Sequence, residues 1–303
     1  MSPPMDVNRQ HWDEATDLHA RGNVYGIEDF KAGRCNLHPI EVEELGDVHG
    51  KSLLHLQCHF GLDTLSWARR GASVTGVDFS PKAIALARSL ASECGIDATF
   101  IESNVYDLPQ VLSGQFDIVL FTSYGVLCWL PDLRRWGQTV ARYLAPGGTF
   151  YIVEAHPFAR VFPTPEDIEE GATELIPMFS YFHDPAGTRW EPSSDYADRS
   201  LMATVPEHTW QHSMADIVNA LIGAGLSIEF LHEFPCCAWD IVAFAERAEH
   251  SGDSRGYWEL PERFPKLPLM FSIKSTRLPL PPCLRGRVRE GGFVTPRKTA
   301  ASR

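Results

Sequence analysis

The chain has 303 residues, 44% of them apolar, and a formal net charge of −12. That length supports one large α/β domain or two small ones around a substantial core, and the acidic balance disfavours broad attraction to nucleic-acid phosphates or anionic lipid. No run of about 18 apolar residues occurs, and residues 1–17 lack the basic-then-apolar order of a secretory signal, so a cytoplasmic protein without a membrane span is expected. Seven cysteines with no C-x-x-C among them argue against a disulfide framework and a ribbon-type zinc site, and no metal is expected.

In chain order, residues 8–20 predict a helix with Trp12, Ala15 and His19 on one side, ending near Gly22. It reads either as a helix packing its tryptophan against the domain or as a lid. Residues 39–45 predict a second short helix, and 46–50 a turn into the first strand. Residues 52–56 form a mostly apolar run that suits a strand buried on both faces, followed by the polar loop 57–61. Thr64, Leu65 and Ala68 share a helical face, Gly71 fits the helix C-terminus, and residues 74–77 resume a strand. That βαβ unit ends in Asp78, where an acidic side chain can receive two ribose hydroxyls.

Ser80-Pro81 then offers a cap and an N-terminal proline to a helix carrying Ile84, Ala87 and Ala91, ending at Cys94-Gly95. Residues 98–102 and 116–122 read as strands, with Asn104 just beyond the first. Pro131 opens a helix with Leu133, Trp136, Val140 and Leu144 on one face; Ala145-Pro146-Gly147-Gly148 stops it, and residues 149–154 give a fifth strand. Such alternation predicts an α/β, Rossmann-like, doubly wound parallel sheet with right-handed crossovers and ligands at the carboxyl ends of its strands.

Beyond Pro157 the pattern changes. Residues 157–212 scatter aromatics, prolines and acids, and are expected to form an insertion covering the active site. Ser213 and Asp216 predict a capped helix ending at Gly225; residues 226–234 and 267–276 are the last two strands, separated by a hydrophilic, mobile stretch at 246–255. Pro279, Pro281 and Pro282 break regular structure, and residues 284–303 carry six basic residues against one acid, a composition of disorder. The organisation expected is a helical segment at 1–50, a main domain at 51–278 that includes the insertion, and a disordered basic tail at 279–303.

Four marks in order carry a family resemblance: the first loop ending in Gly61, GVDFS at Asp78, the FDIV strand, and L-x-P-G-G before the fifth strand. Over roughly Leu53 to Thr276 the chain resembles class I S-adenosylmethionine-dependent methyltransferases. The resemblance implies a sheet of seven strands whose last runs antiparallel, and S-adenosylmethionine as cofactor. It places the methionine moiety against Gln57, His59 and Gly61, the ribose on Asp78, and the adenine between Phe79 and Val105 with Asn104 at its edge. Where the family usually has an acid and glycines, this chain has His55, Gln57 and His59, so Gly61 alone remains of the glycine pattern.

Methyl transfer to a small-molecule acceptor needs alignment, exclusion of water and, for a hydroxyl, a base. Ser123 and Tyr124 are placed to position the donor, and Glu154 or His156 to supply the base. The simpler account of His156 is a histidine that hydrogen-bonds the backbone beside Pro157. His208 and His212, four apart around Trp210, lack a third ligand and read as structural. Two other classes stay open: a non-catalytic protein that kept the fold and lost the cofactor, and a dinucleotide-dependent oxidoreductase, against which stands the absence of G-x-G-x-x-G. The oxygen, nitrogen or sulfur identity of the acceptor atom and the oligomeric state are open.

Overall fold

The computed structural model describes residues 3–22, 25–122, 124–195, 197–198, 200–250 and 253–278. Helices α1 (Pro3–Arg21), α2 (Ile27–Lys31) and α3 (Pro39–Leu45) precede strand β1 (Ser52–Leu56). Then α4 (Leu62–Arg69), β2 (Ser73–Asp78), α5 (Pro81–Glu93), β3 (Ala98–Glu102), β4 (Phe116–Phe121), α6 (Leu133–Tyr143) and β5 (Leu144–Ala155) alternate as the periodicity predicts. The insertion contributes a small hairpin, β6 (Thr188–Trp190) with β7 (Glu207–Thr209). Helix α7 (Met214–Gly223), β8 (Leu226–Phe234), β9 (Cys236–Cys237), β10 (Glu246–His250), β11 (Asp253–Glu259) and β12 (Met270–Arg277) complete the described chain.

The main sheet has seven strands in the order β3-β2-β1-β4-β5-β12-β8. β1 through β5 pair in parallel, and β12 runs antiparallel to both β5 and β8. Side chains alternate across it, so Leu53 faces one core cluster with Trp67 and Tyr151, while Leu54 and Leu56 face another with Trp136, Val140, Ile217 and Leu221. A third cluster holds Phe60, Leu65, Ile84, Leu90 and Phe100 beside β2. Burial on both faces explains why β1 reads as a continuous apolar run.

Local signals set the helix starts. Ser80 accepts from the Ala83 amide at 3.1 Å ahead of Pro81, Asp132 accepts from the Arg135 amide at 3.0 Å, and Ser213 and Asp216 form a reciprocal capping box.

Several boundaries differ from expectation. α1 begins at Pro3, five residues before the predicted start, and α2 was not anticipated because five residues give too little periodicity. β5 begins at Leu144, since Leu144 already pairs with Phe116 before the Pro-Gly-Gly irregularity. The stretch at 246–255, expected to be mobile, is instead a paired hairpin: β10 pairs with β11, which pairs with β9. Its stabilising apolar group, the buried Tyr257, lies just past the hydrophilic run, and backbone pairing needs no apolar sequence. The tail at 279–303 lies outside the described residues. Among the described residues no helix is long and apolar enough to cross a membrane.

α6 and α7 pack closely at Gly137, where an added Cβ would lie 2.5 Å from the Ala220 carbonyl oxygen. Alanine there gains about 1 kcal/mol of helix propensity but forces two helices apart at a cost of about 1–3 kcal/mol. Gly137→Ala is therefore expected to lower the urea midpoint; a midpoint equal to or above wild type would contradict the close contact.

Candidate active site

The loop that leaves β1 follows an unusual path. Gln57, His59 and Gly61 all take left-handed conformations, with φ of 55°, 50° and 78°. For the two non-glycines this costs about 1–2 kcal/mol each, so the surroundings must hold them. Gln57 donates from Nε2 to the Val126 carbonyl at 3.1 Å, and the His59 amide donates to Asp78 Oδ2 at 2.9 Å. The His59 ring is packed against Trp12, Tyr25 and Phe60, and its Nε2 meets His19 Nδ1 at 3.0 Å. Gly61 is a glycine for steric reasons as well: a Cβ there would lie 2.6 Å from the Phe100 ring.

Asp78 closes β2 beside this loop. Its Oδ2 accepts from His59 and its Oδ1 from the Ser80 amide at 2.9 Å, which leaves further lone pairs on each oxygen. Burial pushes its carboxyl up to about 6, against the lowering effect of the Ser80, His59 and Phe79 amides. Phe79 is half-buried immediately after it. At the end of β3, Asn104 and Val105 are buried, and Asn104 Oδ1 accepts from the Tyr106 amide at 2.9 Å, which leaves that oxygen a second lone pair. His55, where the family usually has an acid, is fully buried and contacts Thr64 Oγ1 at 2.9 Å; burial pushes it down to about 3, so it is neutral.

These residues fit S-adenosylmethionine. The backbone at 57, 59 and 61 keeps the conformation glycines would give it, so close backbone approach survives the substitutions. Asp78 retains acceptor capacity for hydroxyls, and the buried Nδ1 of His59 has no hydrogen-bond partner among the described residues.

Helix α1 lies over this site. Ser80 Oγ donates to Asp13 at 2.6 Å, Lys82 pairs with Asp17, and Trp12 packs edge-on against both His59 and Trp129. The same helix grips the insertion: Asn8 exchanges two hydrogen bonds with the His208 backbone at 2.7 Å, Glu14 receives Thr204 and Val205, and His19 Nε2 meets Asp195 Oδ2 at 3.1 Å. His19 thus touches both the β1 loop and the insertion.

The groups expected at the reaction centre separate. Ser123 lies outside the described residues. Tyr124 has φ of 55°, and its hydroxyl donates to the buried Glu41 of α3. Its carbonyl accepts from Trp239 Nε1 at 2.8 Å. His156 Nδ1 accepts from the Phe158 amide at 3.0 Å, which leaves the proton on Nε2, donated to Glu233 at 2.8 Å. With both nitrogens engaged, the imidazole offers no free lone pair to an acceptor.

Glu154 is buried, accepts from the Val126 amide at 2.7 Å and the Ala155 amide at 2.8 Å, and lines a small cleft with Cys128, Arg160, Trp210, Gln211 and His212. Burial pushes its carboxyl up to about 7 despite those amides and the Arg160 charge. Among the described residues no group of three His, Cys, Asp or Glu side chains is placed to hold a metal; His208 and His212 instead bond the Ala186 and Leu130 carbonyls. Sequence reasoning missed Trp129, Cys128 and Arg160. They follow β4 and β5 in segments without periodicity, and their position after strand ends was the available signal.

A parallel sheet with one antiparallel strand, an acid ending β2 and a tight loop after β1 define the class I methyltransferase fold. Residues 54–152 match the methyltransferase domain family. A ubiquinone biosynthesis O-methyltransferase of Cronobacter sakazakii is 34% identical over 106 residues, 35% of this chain and 43% of that protein. The Escherichia coli protein of the same description is 31% identical over 152 residues, 49% and 62% respectively. This chain thus spans roughly half the length of the curated relatives it matches. An S-adenosylmethionine-dependent methyltransferase from Mesorhizobium loti shares the fold with a TM-score of 0.53 at 22% identity, covering 82% of this chain and all of that one. A magnesium protoporphyrin IX methyltransferase of Synechocystis shares it at 0.50 and 14% identity, covering 90% and 99%.

The perturbed carboxyl gives a direct test. A folded-state value near 7 against an ordinary value of about 4.5 means that Glu154's contribution to stability is full below 4.5 and is lost as pH rises through 7. The unfolding free energy of Glu154→Gln relative to wild type is expected to rise across that window. A difference that stays flat from pH 4.5 to 7 would show an ordinary carboxylate.

Proposed function

We propose that this protein transfers a methyl group from S-adenosylmethionine to a small-molecule acceptor held in the cleft beside Glu154. The observation that carries the reading is the β1 loop: Gln57 and His59 hold glycine-type conformations while the His59 amide is fixed on Asp78. When bound, the cofactor supplies a sulfonium-activated methyl group. Asp78 would hold the ribose hydroxyls, the amides and side chains of 57–61 the methionine part, and Phe79, Asn104 and Val105 the adenine.

The chain's own residues then do three things. α1 and the insertion, joined through His19 and Asp195, exclude water from the reacting atoms as a lid and a cap. The Gln57–Val126–Glu154 chain of hydrogen bonds fixes the cofactor loop relative to the cleft. Glu154, ionised only above about pH 7, accepts the proton of a hydroxyl or ammonium acceptor. Tyr124 belongs to the segment that shapes the donor end and is positioned through Glu41.

The ubiquinone O-methyltransferases among the relatives support a small-molecule acceptor. We assign the protein to the cytoplasm with no nucleic-acid partner, on composition. The dinucleotide and non-catalytic alternatives are separated by calorimetry with NAD and with S-adenosylmethionine.

Two variants test the reading. Asp78→Ala should weaken S-adenosylmethionine binding by about 1.5–3 kcal/mol, the scale of charge-assisted hydrogen bonds, in a calorimetric titration; unchanged affinity in a folded variant removes Asp78 from the site. With an acceptor found by screening phenols, amines and thiols with labelled donor, the wild-type rate should rise with pH to about 7. Glu154→Gln should lose that limb and turn over about 10²–10⁴ slower. A variant with the wild-type profile would rule out Glu154 as the base.

A further inference from the structure

Arg160 is the unexplained group in the acceptor cleft. It sits in the short turn after β5, half-buried, with its Nε shielded from solvent and without a hydrogen-bond partner among the described residues. No described carboxylate lies within 4 Å of its guanidinium: Glu154 is held by backbone amides, and Glu207 faces His11 Nε2 at 3.5 Å. A desolvated guanidinium N–H without an acceptor costs free energy that a ligand can recover.

The rest of the cleft defines what that ligand is. His212 is kept neutral, pushed down to about 4 by burial, and its Nε2 donates to the Leu130 carbonyl. The Cys128 thiol is neutral as well, pushed up to about 12 by burial. Arg160 is therefore the cation among the described lining residues. Leu127, Ala155, Trp210 and Ile217 supply apolar walls. A single guanidinium in a lining that also holds Glu154 matches one negative charge, and a planar guanidinium fork suits a carboxylate.

We propose that Arg160 selects the acceptor by its carboxylate, so that the substrate is a monoanionic acid on an apolar body, with the methylated group turned toward Glu154. This rests on the methyltransferase reading for its function but not for its measurement. Arg160 is a specificity residue here, since the proton and the methyl group move elsewhere.

The test is a calorimetric titration of benzoate and, as neutral control, methyl benzoate, into wild type, Arg160→Gln and Arg160→Lys, each with and without saturating S-adenosylhomocysteine. Wild type should bind benzoate at least about tenfold more tightly than its ester, the scale of one charged hydrogen-bonded contact. Arg160→Gln should abolish the preference, and Arg160→Lys should keep part of it. S-adenosylhomocysteine affinity should be unchanged in both variants, which also reports that they are folded. Equal binding of acid and ester to wild type, or a preference that survives Arg160→Gln, overturns the proposal. If S-adenosylhomocysteine does not bind wild type, the methyltransferase reading fails, and the titration without it still decides the role of Arg160.

Discussion

Two non-glycine residues in left-handed conformation are the constraint on which the site depends. Gln57 and His59 stand where glycine would cost nothing, and each carries about 1–2 kcal/mol of backbone strain. The strain is offset because each residue has contacts that glycine lacks. Gln57 reaches across to the Val126 carbonyl, and the His59 ring fills the space between Trp12, Tyr25 and Phe60. The loop is thus part of the packing between α1 and the sheet, whereas a glycine loop would leave that space to solvent or to the cofactor alone.

That exchange links cofactor site and lid. His19 on α1 meets His59 on one side and Asp195 of the insertion on the other, so the helix is seated through the same residue that shapes the loop. Burial holds His59 well below its ordinary value, which keeps it neutral against His19 and makes the contact a hydrogen bond without charge repulsion. Helix α1 is held over the site by polar contacts and edge-on rings, apart from the sheet's own clusters of Leu, Val, Trp and Tyr.

Much of the fold was legible because the signals were local and periodic. The capping box at Ser213, the Ser80-Pro81 start, the apolar β1 and β4 runs and the acid at Asp78 each follow from rules acting within a few residues. The hairpin at 246–259 was hidden because its backbone pairing leaves no apolar alternation in its first half. At the site, Asp78 could be placed from its position at a strand end. The fates of His156 and Tyr124 could not, because they depend on Glu233 and Glu41, which are 77 and 83 residues away in sequence. Glu154 lies in β5, whereas His156 follows the strand's last residue, Ala155, and only Glu154 lines the cleft.

The cleft itself comes from elements that carry no periodic signal: the segment after β4, the turn after β5 and the end of the insertion. Their side chains meet only because the parallel sheet brings its strand ends to one edge. The most direct measurement of the central claim is a crystal structure of the protein with S-adenosylhomocysteine. The ribose hydroxyls should lie within hydrogen-bond distance of Asp78, with Gln57 and His59 still at positive φ. Density for the ligand away from this loop, or a loop that must leave the left-handed region to admit it, would contradict the account.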